Sequence, residues 1–397
     1  MLRRYDAFAL LAFLSGTLGS LSCHDVAGVG GRSVEPRVLW RVASAPSDNH
    51  FPHEPAVNAD GSMAYFVTSD YRLKKIRGVD GKVMWDMDVK PIHETFPGWN
   101  VVLAGPAVAF AKVDIFAYDS ATGRPLWSYV APNGDETGYS SIVADETTIY
   151  AASQGGRAYA INALTGTARW ITDLRESRSD VGALTPTLDN GVLYVATHSH
   201  AAAPEIATFW ALDASTGAIK WTYHFSPEFP QQPTSAYGGA AVWNDLVIEP
   251  AADGRVFAFD RATGAVKWIA PRVHSIPPAG TSWGDLRFPA VFGDNLAVTS
   301  STGNVLVGLD PRSGAERWRS ADIAGAMYRP AVDEENVYVS YGSIFAAFDV
   351  TTGRLRWRDD GPLVEGPRPG TAFHGRPAIA NDRLYVGGRD ASYSLRK

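Results

Sequence analysis

Residues 253–268, DGRVFAFDRATGAVKW, carry the pattern that organises most of the chain. Val256, Ala258 and Asp260 alternate with Phe257 and Phe259, the period of two that marks a β-strand. Asp260-x-x-Thr263-Gly264 then reads as a tight turn. The Asp carboxylate can accept from backbone ahead of it, and glycine supplies the positive φ that a hairpin connection demands. The chain returns through residues 265–268. A second strand pair, Pro289-Ala290-Val291 and residues 295–300, is separated by its own turn at Gly293-Asp294. Four short antiparallel strands per unit, repeated along the chain, predict the blades of a β-propeller.

The unit recurs throughout. A glycine is followed four residues later by tryptophan at Gly81/Trp85, Gly123/Trp127, Gly166/Trp170, Gly217/Trp221, Gly264/Trp268, Gly314/Trp318 and Gly353/Trp357. Thr122, Thr165, Thr216, Thr263 and Thr352 precede five of these glycines. Asp119, Asn162, Asp213, Asp260, Asp310 or Asp349 stands four residues before six of them; the first repeat has Arg77 instead. The chain ends on strand-like residues 373–380, 383–387 and 391–395 without a closing glycine and tryptophan. Near its start, residues 38–42 hold Trp40 with no strand before them. The leading segment is therefore expected to pair with residues 391–395 and complete the last blade, which leaves no open sheet edge. Trp40, Trp85, Trp127, Trp170, Trp221, Trp268, Trp318 and Trp357 then mark eight blades. Seven is the rival number, because residues 106–119 leave little room for two strands. All eight indoles are expected to be structural, filling the wedge between neighbouring blades.

Composition narrows the function. Of 397 residues, 45% are hydrophobic and 20% charged, the balance of a packed protein. A formal net charge of −6 argues against a nucleic-acid footprint. The single cysteine, Cys23, excludes an intrachain disulfide, a thiolate zinc site, a CxxCH haem attachment and an iron–sulfur cluster. Arg3 and Arg4 precede an apolar run over residues 7–14, with small and apolar residues to Leu21, the layout of an export signal. The run is too short for a membrane span, which needs about 20 residues. Ser20-Leu21-Ser22-Cys23 resembles a bacterial lipoprotein signal, with Cys23 as the lipidated residue. Plain secretion after Ser22 and an uncleaved anchor are the alternatives. The expected organisation is a signal over 1–22, a Gly-rich flexible tether over 23–36 and an eight-bladed propeller over 37–397.

The segments Ala211-Leu212-Asp213-Ala214-Ser215-Thr216-Gly217-x-x-x-Trp221 and Ala258-Phe259-Asp260-x-x-Thr263-Gly264-x-x-x-Trp268 resemble the tryptophan-docking repeat of PQQ-type propellers. The likeness covers residues 37–397 and is specific for fold more than for function. One branch of that family is the quinoprotein alcohol and glucose dehydrogenases. Another is the outer-membrane assembly lipoprotein BamB, a non-enzymatic scaffold, and in size and signal the chain looks like this branch. The resemblance implies a protein partner, with the barrel-assembly machinery as the specific one, no cofactor, and an outer-membrane anchor facing the periplasm or secretion. The dehydrogenase branch would bring an adjacent cysteine pair, which is absent, and a Ca²⁺ site of converging oxygen ligands. Its pairs Asp135-Glu136, Glu334-Glu335 and Asp359-Asp360 read here as solvated loop tips. An interaction propeller of other partnership is the third reading.

Two places are candidates for binding. The first strand of each blade should line a central channel, and prolines mark several such strands. The residues just before them place Arg287, Arg329 and Arg376 near one mouth, with His53 and His374 beside them. Such a cluster could hold an acidic loop or an anion through charge-assisted bonds, or satisfy carbonyls in a water-filled funnel. The second candidate is a pair of long, Pro-rich loops, residues 224–236 and 271–283, which present Phe225, Phe229 and Trp283 as exposed aromatics for partner docking. His198-Ser199-His200 could chelate a metal but lacks a third ligand and reads as a surface loop.

Overall fold

The structure, a computed structural model, describes residues 37–45, 54–89, 100–132, 138–176, 181–199, 207–226, 239–251, 253–270, 286–300, 305–320, 328–341, 344–360 and 373–397. The signal, Cys23 and the tether lie outside them. Every regular element among the described residues is a β-strand. The strands form eight antiparallel sheets. Blade one is Ala56–Val57, Met63–Val67, Arg72–Arg77 and Val83–Asp88. Blades two to seven follow over residues 101–129, 139–173, 181–224, 241–270, 286–320 and 331–360. The compressed second repeat does hold four strands, because Ala107–Ala111 and Ile115–Asp119 are only five residues each. In blade four the innermost strand is broken in two, and both pieces pair with Val192–Ser199.

Blade eight closes the ring. Phe373–Ala380, Arg383–Gly388 and Ala391–Arg396 come from the end of the chain, and Val38–Ala43 adds the outermost strand. Val38 lies opposite Leu395 and Ala43 opposite Ala391, so the expected pairing of the two ends is present in an eight-bladed propeller.

Packing follows from the alternation in the middle strands. Successive side chains point to opposite faces of a sheet, and in a ring of blades both faces meet a neighbour. Phe257 and Phe259 pack toward blade four; Val256 and Ala258 pack toward blade six. The inner strands therefore read as apolar on both parities, while the outermost strands alternate between exposed and part-buried residues. Eight separate apolar clusters result, one in each seam between adjacent blades.

Each seam is finished by an indole. The Trp127 Nε1–H donates to the Ala163 carbonyl of the next blade at 2.9 Å, Trp170 to Ala214 at 2.9 Å, Trp221 to Arg261 at 2.8 Å and Trp318 to Val350 at 2.8 Å. Trp40 spans the closing seam and donates to Gly78 at 2.8 Å. Above each of these rings lies the turn glycine of the following blade. Gly264 has φ +73°, and a Cβ there would fall 2.7 Å from the Trp221 indole. Glycine is thus required twice, for its backbone angle and for the ring beneath it. The turn itself is braced by Asp260, whose Oδ1 accepts from the Ala262 and Thr263 N–H groups and the Thr263 hydroxyl, at 3.0 to 3.1 Å. Trp357 differs. The two ends of the chain meet where its covering turn would lie, and the Arg37 guanidinium sits 4.0 Å over the ring instead.

Replacing Gly264 by Ala should lower the unfolding free energy by roughly 2–4 kcal/mol, the combined cost of a left-handed backbone and an overpacked indole. Gly293→Ala, at φ +53° but with nothing within 4 Å of the added carbon, should cost only about 1 kcal/mol. Equal losses in denaturant titrations of the two variants would show that the indole contact contributes nothing.

Candidate functional site

The innermost strands enclose a channel of about 1500 Å³. Ala56 and Val57, residues 101–103, residues 142–144, Thr187 and Leu188, Ala331 and Val332, and Ala378 and Ile379 line it. These strands have a free lateral edge facing the lumen, where a missing N–H is tolerated, and so proline sits at or in them. Pro377 lies in an irregularity between His374 and Ala378, and Pro289 in one next to Arg287.

The residues leading into these strands form one mouth. The Asn100 side chain pairs with the backbone of Ile142 in blade three, donating to its carbonyl at 2.7 Å and accepting from its N–H at 2.9 Å. The Glu54 carbonyl accepts from Val101 N–H at 2.9 Å. Across the closing seam, Glu54 Oε1 accepts from the Arg376 backbone N–H at 3.0 Å. Gly375, at φ +77°, lets the Glu54 stem pass beneath the chain: a Cβ there would lie 2.7 Å from Glu54 Cγ. The Ser340 hydroxyl donates to the Gly375 carbonyl at 3.2 Å and ties blade seven to blade eight.

Three charged groups line this mouth, and a fourth titratable group interacts with one of them. Arg329 and Arg376 line the channel with Glu54. Arg376 projects into the lumen, open to its water yet ringed by protein. Burial and the like charge of Arg329 pull its guanidinium down to about 10, against the attraction of Glu54. Glu54 is raised by burial, opposed by Arg329 and Arg376. The fourth group is Glu249, on the second strand of blade five, Leu246–Pro250. It is 0% exposed, and both carboxylate oxygens are buried without a hydrogen-bond partner. Burial pushes it up to about 8, opposed only by Arg329. Glu249 is therefore mainly neutral at pH 7, because an ionised carboxylate in such a place loses its hydration with no donor in return. The Arg329 Nε is likewise buried and unpartnered.

The other end of the channel carries a paired acid. Asp333 follows the inner strand of blade seven, as Arg329 precedes it. It accepts from the Tyr338 hydroxyl at 3.0 Å and lies 3.1 Å from Lys397 Nζ. Asn336 Nδ2 donates to the same hydroxyl at 3.0 Å.

Of the residues picked from sequence, Arg329 and Arg376 come together at the mouth. The backbones of Arg287 and His374 lie in the inner strands of blades six and eight, but their side chains, and His53, Phe229 and Trp283, fall outside the described residues. Phe225 corrects an expectation: it is 2% exposed, packed against Tyr223, Phe257 and Phe259 in the seam between blades four and five. Phe225 continues the alternation of Trp221 and Tyr223 one residue past His224, so its ring faces the seam. His198 is also no loop residue. It lies in the strand Val192–Ser199 and is 5% exposed. Glu54 was passed over as a neighbour of His53. Glu249 was missed although its signal was present, as the only charge in the run LVIEP. Among the described residues, no group of three or more His, Cys, Asp or Glu side chains could hold a metal ion, and no helix is long and apolar enough to cross a membrane.

Comparison with known proteins places this geometry. The chain is 30% identical to the serine/threonine-protein kinase AfsK of Streptomyces griseus over 276 residues, which cover 62% of this chain and 31% of the kinase. It is 31% identical to the dehydrogenase subunit of the quinone alcohol dehydrogenase of Gluconobacter oxydans over 195 residues, 48% of this chain and 20% of the relative. It thus spans under a third of the length of these relatives. The crystal structure of BamB from Moraxella catarrhalis superimposes with a TM-score of 0.67 at 17% identity, covering 91% of this chain and 100% of that one, a likeness of fold. A family match runs over residues 111–275 and 279–392, through blades two to eight, and by it the chain belongs to the family described as outer membrane protein assembly factor BamB.

Proposed function

We propose that this protein is an exported, non-catalytic scaffold that binds a protein partner in the assembly of outer-membrane β-barrel proteins. The family match over residues 111–275 and 279–392 carries the reading. The architecture supports it. The repeated Asp, Gly and Trp residues are spent on turns and seams, so the ring is a rigid support whose rims and channel mouth are left for contact. The leading residues 1–22 suit export, and Cys23 suits a lipid anchor at the outer membrane joined to the ring by a short tether.

Affinity capture of the full-length protein from detergent-solubilised envelopes should co-purify the barrel-assembly machinery. Its absence from the captured fraction, with the propeller folded, would remove the assembly role. Purified protein supplied with pyrroloquinoline quinone and Ca²⁺ should give no dye-linked alcohol oxidation, and measurable turnover would restore the dehydrogenase reading. Cys23→Ala should move the protein from the membrane pellet to the soluble fraction. Unchanged sedimentation with the membrane would refute the lipid anchor.

A further inference from the structure

Burying charge without partners is costly, and native proteins rarely keep such groups except where function uses them. The channel mouth keeps several. The Arg329 Nε is buried and unpartnered, as are both oxygens of the Glu249 that acts on it, whereas Asp333 at the opposite end of the channel is paired with Tyr338 and Lys397. Among the described residues, the hydrogen bond of Arg376 comes from its backbone N–H, and its guanidinium lines the lumen. Each guanidinium offers five N–H donors in a plane that fits two oxygens of one group.

The balance of charge selects the ligand. Arg329 and Arg376 contribute two positive charges. Glu54 contributes one negative charge when ionised and is held in place by the Arg376 N–H. Glu249 is mainly neutral at pH 7 because burial disfavours its anion. Two guanidiniums set beside one acid suit a lightly charged group with paired oxygens, and the more heavily charged phosphate would meet the Glu54 oxygens across the same space.

We propose that the channel mouth formed by Arg329, Arg376 and Glu54 is a receptor for a carboxylate. The carboxylate lies against the two guanidiniums in the lumen, and it comes either from an acidic side chain of a peptide segment entering the funnel or from a free organic acid. The site does not depend on the assembly role, and the two ideas fail separately because this one is tested on purified protein alone.

Calorimetric titration of the full-length protein tests it with four probes: an acetylated peptide amide with one central Glu, the same peptide with Gln, propionate and inorganic phosphate. The Glu peptide or propionate should bind, and the Gln peptide should bind at least about tenfold more weakly, the size of a lost charge-assisted pair. Binding of propionate without the peptide identifies a free acid as the source and keeps the receptor. Arg376→Gln, whose side chain stands in the lumen, should weaken carboxylate binding about tenfold with an unchanged melting temperature. Arg329→Lys, which keeps the charge but loses the fork, covers the case in which the Arg376 variant does not fold, and should weaken binding similarly. Absence of binding by both carboxylates, preference for phosphate over either, or unaltered affinity in the folded variants would overturn the proposal.

Discussion

The contact between an indole and the turn glycine of the next blade is the constraint on which the ring depends. A blade alone is a four-stranded sheet with two apolar faces and no way to bury either. Stacking in a circle buries both, but the wedge widens outward, and something large must fill the broad end. Trp221 and its counterparts do so, and all but Trp357 fix their orientation by donating to a carbonyl of the neighbouring blade. The ring beneath then forbids any side chain at the glycine above it. Sequence and seam are locked together in this way at one blade after another.

That arrangement explains where binding chemistry can reside. Side chains of the second and third strands are committed to the seams, and those of the outermost strands fill the wedge or meet solvent. The short inner strands and the residues leading into them are the ones left over. There the chain departs from its repeat: Glu54, Asn100, Arg329 and Arg376, which hold equivalent places in different blades, are an acid, an amide and two guanidiniums. Diversity at one mouth, carried on a uniform frame, is what a recognition surface requires.

Much of the frame was legible in the sequence, and the reason is local. The Asp-x-x-Thr-Gly turn, the glycine-to-tryptophan spacing and the orphan strand around Trp40 are all short-range signals, and they were enough to predict eight blades and their closure. What stayed hidden was long-range. Gly264 lies four residues from Trp268 in sequence, yet it covers Trp221, which belongs to the blade before. Phe225 read as an exposed loop aromatic because nothing near it in the chain shows that blade five supplies Phe257 and Phe259 to bury it. At the mouth, two arginines could be placed by their position before inner strands. Glu249 comes from a different strand type two blades away from Arg329, and no local pattern joins them.

The substitution of Arg37 for a turn over Trp357 has a mechanical consequence. At the seven other seams the covering piece is a continuous loop, so tension on one blade is shared with the strand that follows. At the eighth, the outermost strand is the leading end of the propeller itself, held by its ladder to Ala391–Arg396, by the Trp40 indole donating to Gly78, by the Arg41–Asp390 ion pair and by the Arg37 guanidinium resting on an aromatic face. No loop joins Val38–Ala43 to Ala391–Arg396, so within this blade the circle is completed by non-covalent contacts alone.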